Sequence, residues 1–146
     1  MLNTTETRKK SKKTITLPDG KDVAFTNHTS ASYSSAKYKT IIVNVEKTVH
    51  SWKQSLFSYE WLNKDGTFKE IENLTQKDQE RRRQILDNIK NGQALETPIL
   101  GMGILDNVEI GVGRAVFLTL AIMGATEIPV HVPVSQADFF DKFKQP

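Results

Sequence analysis

The first apolar segments of the chain are short and are set apart by turn residues. Thr14–Leu17 and Lys21–Phe25 flank Pro18-Asp19-Gly20, which predicts a small β-hairpin because proline presets one turn dihedral and glycine accepts a positive one. Asn27–Ser35 is rich in Ser, Thr and Asn and reads as a loop. Thr40–Val45 (TIIVNV) is a β-branched run of the length of a buried strand. Phe57, Tyr59 and Trp61 alternate with polar neighbours, and Asp65-Gly66 turns the chain toward Thr67–Ile71. This predicts a second hairpin with an aromatic face, suited to core packing or, alternatively, to a partner or a stacked base.

A helical period then takes over. Asp78–Lys90 (DQERRRQILDNIK) has a narrow apolar stripe of Ile85, Leu86 and Ile89. Thr75 with Asp78 resembles a capping box, and Asn91-Gly92 stops the helix. Arg81, Arg82 and Arg83 spread over the exposed side, either as a solvated face offset by Asp78, Glu80 and Asp87 or as a phosphate-facing patch. Pro98–Ile104 reads as a strand, Asp106-Asn107 as a turn, and Val108–Ile110 as the antiparallel return. Gly113–Met123 is apolar nearly all round, which predicts a buried helix. Ile128–Val132 follows as a strand, and Phe139, Phe140 and Phe143 form the apolar side of a short closing helix.

With 38% hydrophobic and 25% charged residues over 146 positions, the composition fits one globular domain. We divide it into a basic, disordered tail over 1–13 and a single domain over 14–146. No apolar run reaches the roughly 18–20 residues that a membrane span requires, and the polar start lacks a secretory h-region. A cytoplasmic protein without a membrane partner is the expectation. The absence of cysteine excludes disulfides, thiolate zinc sites and thiol catalysis. The formal charge of +3 is concentrated in the tail. There Arg8, Lys9, Lys10, Lys12 and Lys13 stand against Glu6 alone, so the tail carries a net +4 and the body about −1. Such a cluster can graze nucleic-acid phosphates without reading sequence, or simply stay solvated.

The chemistry concentrates in Val108–Pro133 (VEIGVGRAVFLTLAIMGATEIPVHVP). Gly111, Val112, Gly113 and Arg114 join a strand to a helix N-terminus, where unpartnered amides and the helix dipole favour an anion. Arg114 adds a planar donor fork. Asp106 and Glu109, just ahead of the turn, are the candidate Mg²⁺ ligands and catalytic groups, since Mg²⁺ takes one or two carboxylates plus phosphate oxygens. The bland alternative makes Asp106 a turn residue and Glu109 a solvent-facing strand position. His131 faces opposite to Val130 and Val132 and reads as structural or surface-exposed. His28 and His50 have no neighbours at metal-ligand spacing.

A helix ending near Gly92, then ETPILG, a hairpin, the glycine-and-arginine turn, a buried helix and GATEIPVHVP together resemble the ParB/sulfiredoxin superfamily. The resemblance covers roughly 40–133 and is strongest over Thr97–Val132. It implies a small α+β domain in which a mixed sheet and a buried helix follow a Gly-rich phosphate turn. Members include CTP-dependent DNA clamps, ATP-dependent sulfinic acid reductases, free-serine kinases and nucleases. Small plasmid-encoded fertility inhibitors of the Osa type are relatives of similar size. Gly111 matches the glycine that opens the family turn and Arg114 the arginine that closes it. Val112 and Gly113 stand where sulfiredoxins place a cysteine and a histidine, and where ParB clamps place an acidic residue and an arginine. Ile110 stands where many ParB-like nucleases have an aspartate.

The resemblance thus implies a plasmid- or phage-type accessory protein that binds nucleotide or nucleic-acid phosphates, with ATP or CTP and Mg²⁺ as the implied cofactors. It would interfere with DNA transfer or processing. One alternative is a Mg²⁺-dependent DNase or NTPase using Asp106 and Glu109. Another is a degenerate domain that binds a protein of a DNA-transfer or processing machine through the Phe57–Trp61 hairpin. A free-amino-acid kinase would need a general base that the sequence does not place.

Overall fold

The Pro18–Gly20 turn closes a hairpin in which only one face is apolar. In the structure, a computed structural model describing residues 13–33 and 37–145, β1 (Thr14–Thr16) pairs antiparallel with β2 (Asp22–Thr26). Gly20 donates its N–H to the Leu17 carbonyl at 2.8 Å and adopts a φ of +93°, which glycine tolerates. Ile15, Val23 and Phe25 are buried while their neighbours are exposed. Lys13 belongs to this hairpin rather than to a tail: Phe25 N–H bonds to its carbonyl, and its ammonium donates to Asn27. Arg8, Lys9, Lys10 and Lys12 lie outside the described residues.

The expected loop after β2 contains a short helix, α1 (Thr29–Tyr33). His28 begins it, its Nδ1 accepting the Ser30 N–H at 3.1 Å. This is a capping bond that a Ser/Thr/Asn/Asp search does not reveal. The strand expected over Thr40–Val45 is β3 (Tyr38–Asn44), and Val45 instead opens α2 (Val45–Trp52). Asn44 caps this helix by accepting the Lys47 N–H at 2.9 Å. Val45, Thr48, Val49 and Trp52 are its buried face, spaced as one side of a helix requires.

The second hairpin is reduced to a single bridge between Leu62 and Phe68 around the Asp65-Gly66 turn. Phe57–Trp61 is no strand; Ser58–Glu60 forms a 3₁₀ turn. Serine side chains divert the backbone here. Ser55 Oγ accepts the Phe57 N–H at 3.1 Å, and Ser58 Oγ donates to the Ser55 and Lys53 carbonyls. The three aromatics therefore share no face. Trp61 is 1% exposed in the core, whereas Phe57 and Tyr59 are 49% and 66% exposed.

The remaining strands and α-helices among the described residues are α3 (Gln76–Lys90), β4 (Leu95–Glu96), β5 (Ile99–Met102), β6 (Val108–Val112), α4 (Arg114–Ile122) and β7 (Glu127–Pro133). A 3₁₀ run over Val134–Phe143 closes the domain, with Phe140 and Phe143 buried. Among the described residues two sheets result, ordered β1-β2-β4 and β3-β7-β5-β6. Each mixes parallel and antiparallel pairs: β2 with β4 and β5 with β7 are parallel, the others antiparallel. The chain is thus an α+β fold with mixed sheets. One apolar cluster joins residues of both sheets with α2, α3 and α4. β7, at the centre of the larger sheet, is buried from Ile128 to Val132, as a strand covered on both faces must be.

Candidate functional site

The passage from β6 into α4 is a single residue wide. β6 continues through Gly111 and Val112, leaving Gly113 alone as the turn and the helix cap. Gly111 is the extra residue of a bulge, since Ile99 pairs with Val112 and Leu100 with Ile110. A side chain at Gly111 would meet only the Ile99 carbonyl at an ordinary 3.7 Å. Gly113 is different: its φ is +77°, and an added Cβ would lie 3.0 Å from Pro98 Cα. The first amides of α4 have no intrahelical partner, and Gly113 supplies no side chain to cap them. Burial of Phe117, Leu118, Thr119 and Leu120 anchors the helix behind them. Ala115, Val116, Ala121 and Ile122 are only partly covered, so the expected all-round burial holds for the middle of α4 and not its ends.

α3 packs against α4, and the start of each helix lines the same cleft. Thr75 Oγ1 caps α3 by accepting the Asp78 N–H at 3.2 Å. That first turn and residues 111–116 line one cleft of about 640 Å³, together with Lys77, Arg81 and Glu60. Both helix starts thus contribute positive dipole ends to one cleft, which also runs along α3 to Gln84 and Ile85. The arginine triplet on α3 divides: Arg81 lines the cleft, while Arg83 donates to Gln79 at 3.1 Å. Arg82, expected on the exposed surface, is half-buried instead, with Nε and Nη1 enclosed and unpartnered.

Arg114 projects into the cleft already paired. Its Nη1 lies 2.7 Å from Glu60 Oε1, and its guanidinium carbon lies 5.1 Å from the centre of the Phe57 ring. Its Nε is buried without an acceptor. Sequence reasoning did not single out Glu60, because its partner is far away in the chain and no local pattern marks it.

Asp106 and Glu109 are not brought to this cleft. Asp106 sits exposed in the β5–β6 turn with a φ of +57°, and it lines a separate depression with Glu46, His50 and Lys142. Glu109 is half-buried with both carboxylate oxygens engaged. Ser55 Oγ donates to one at 2.6 Å and Asn107 Nδ2 to the other at 3.1 Å. Among the described residues no group of three or more His, Asp or Glu side chains is placed to hold a metal ion. Asp106 and Glu109, the two carboxylates expected to hold Mg²⁺, do not line the cleft.

His131, read as structural or surface, is buried at the seam of the two sheets. Its Nε2 accepts the His28 backbone N–H at 3.3 Å, so Nδ1 carries the proton and faces Thr40 Oγ1 at 2.9 Å. Burial first, then the nearby charges of Lys13 and His28, push its pKa down to about 4. It is neutral at physiological pH and does not line the cleft. Among the described residues no helix is long and apolar enough to cross a membrane. No protein-family model, curated protein or solved structure matches the chain.

Proposed function

We propose that the protein is a phosphate-binding accessory protein that takes nucleotide or nucleic-acid phosphates in the α3–α4 cleft. The observation that carries this reading is the opening of two helix N-termini onto one cleft that also holds Lys77, Arg81 and Arg114. Backbone amides and guanidinium forks recognise phosphate oxygens without any chemical step. The resemblance of Thr97–Val132 to ParB/sulfiredoxin domains, read from the sequence, suggests a role in DNA transfer or processing on a plasmid or phage.

A binding role is placed ahead of a metal-dependent DNase or NTPase because Glu109 already braces Ser55 and Asn107 and neither proposed ligand lines the cleft. A second reading, a protein-binding inhibitor, is favoured by the Glu60 carboxylate, which already partners Arg114. A thermal-shift panel of ATP, ADP, CTP and GTP, each with and without Mg²⁺, separates the two. A ligand at a hundredfold excess over its dissociation constant stabilises the folded state by about 2.7 kcal/mol. Stabilisation that disappears in Arg114→Ala supports phosphate binding. A panel without any shift, and no response to oligonucleotides, leaves the inhibitor reading.

A further inference from the structure

The Ser58–Glu60 turn stands between two clefts. Glu60 walls the α3–α4 cleft. Its neighbour Tyr59 walls a smaller one of about 370 Å³, which is also lined by Lys53 and Lys64. Two exposed rings sit at this divide. Phe57 is held from one side by the Arg114 guanidinium, and Tyr59 is the more exposed of the pair. Side chains so apolar and so open to water have no role in the core, and cations lie on both sides of them.

Free mononucleotides would occupy the first cleft and leave Tyr59, Lys53 and Lys64 unused. A duplex would reach the lysines but keeps its bases stacked on one another. Only a single strand supplies a phosphate at each step together with bases whose faces are free. Resting on the phosphate reading above, we propose that the ligand is a single-stranded nucleic acid. It runs from the α3–α4 cleft across the Ser58–Glu60 turn to Lys53 and Lys64, with bases stacked on Phe57 and Tyr59. Lys53, Lys64, Lys77, Arg81 and Arg114 outnumber Glu60, Asp65 and Asp78 along this path, which suits a polyanion. Stacking accepts any base, so binding is independent of sequence.

Fluorescence anisotropy with a labelled short oligothymidylate tests this against two competitors, an abasic strand of equal length and a duplex. The oligothymidylate should bind more tightly than either. Tyr59→Ala, which leaves the Arg114 contacts in place, should weaken it roughly tenfold and leave the abasic strand unaffected. Phe57→Ala should weaken it further, and circular dichroism confirms that both variants are folded. Equal binding of the abasic strand, tighter binding of the duplex, or an unchanged Tyr59→Ala overturns the single-strand proposal while leaving phosphate binding intact. If no strand binds and no nucleotide shifts the melting temperature, both readings fall together.

Discussion

Arg114 and Glu60 form a charge-assisted hydrogen bond of 2.7 Å at the mouth of the cleft, with both side chains about a quarter exposed. The carboxylate occupies one arm of a donor fork that a phosphate would use. On the binding reading, an incoming phosphate competes with an internal anion for Arg114, and Glu60 tunes the affinity.

Glu60→Gln removes that competitor while keeping the side-chain shape. Affinity for a phosphate ligand should rise several-fold, and stability should fall by no more than about 1 kcal/mol, the worth of a partly exposed ion pair. Calorimetric titration with nucleotide or oligonucleotide reads the first, and urea unfolding reads the second. Weaker binding in Glu60→Gln would make the pair part of the site's scaffold instead.

The two glycines of the turn should respond differently. Gly113→Ala forces a side chain into a φ of +77° and to 3.0 Å from Pro98, which should cost about 1–3 kcal/mol. Gly111→Ala meets only an ordinary contact and should stay within about 1 kcal/mol of the parent. Chemical denaturation of the two variants checks the ordering, and a more damaging Gly111→Ala would refute it.

Acid should loosen the seam between the sheets. The pKa of His131 is about 4 when folded, against an ordinary 6.5. The unfolded chain therefore binds more protons between these values, and stability from this residue is complete above pH 6.5. It declines as pH falls toward 4, by roughly 3 kcal/mol in all. Protonation would also turn Nε2, which accepts the His28 N–H, into a second donor. Removing the neighbouring charge with Lys13→Met should raise the His131 pKa, measurable by NMR titration. A His131 resonance titrating near 6.5 would contradict the burial described.

On the binding reading, purified protein should neither cut DNA nor hydrolyse ATP with Mg²⁺ or Mn²⁺. Glu109→Gln should still lower stability by about 1 kcal/mol, because it weakens a hydrogen bond to a charged acceptor. Metal-dependent turnover that is lost in both Asp106→Asn and Glu109→Gln would restore the enzymatic alternative.

Deleting residues 1–12 tests the basic tail while sparing Lys13, which the β1–β2 hairpin uses. Each phosphate contact removed should flatten the slope of log affinity against log salt by about 0.7 for a single strand. An unchanged slope makes the tail a bystander.

Local signals carried much of this fold. The Pro18–Gly20 turn, the Thr75 cap of α3 and the step from β6 through Gly113 into α4 were each legible, because every one depends on residues within a few positions. α2 was not anticipated, although Asn44 followed by Val45, Val49 and Trp52 contains a cap and a helical stripe. Its strand-like entrance, TIIVNV, concealed the change of period. The alternation of Phe57, Tyr59 and Trp61 suggested a strand because periodicity is blind to the serine bonds that curl the backbone there. Least legible was the cleft itself. Glu60, Thr75–Arg81 and Gly111–Arg114 meet only through tertiary packing, and no spacing rule connects them.

The larger sheet joins an early strand, β3, to a late one, β7, along seven paired positions, and the Gln145 N–H reaches back to the Ile42 carbonyl. During synthesis, Ile41 and Val43 leave the ribosome long before their partners exist. The nascent chain must carry these residues without their strand partners until β7 emerges, so this pairing cannot form before then. Prematurely terminated chains lacking β7 would present a β3 without its neighbour, ready to pair with any other unfinished strand. In living cells the yield of this protein should therefore depend on chaperone capacity more than its finished stability suggests.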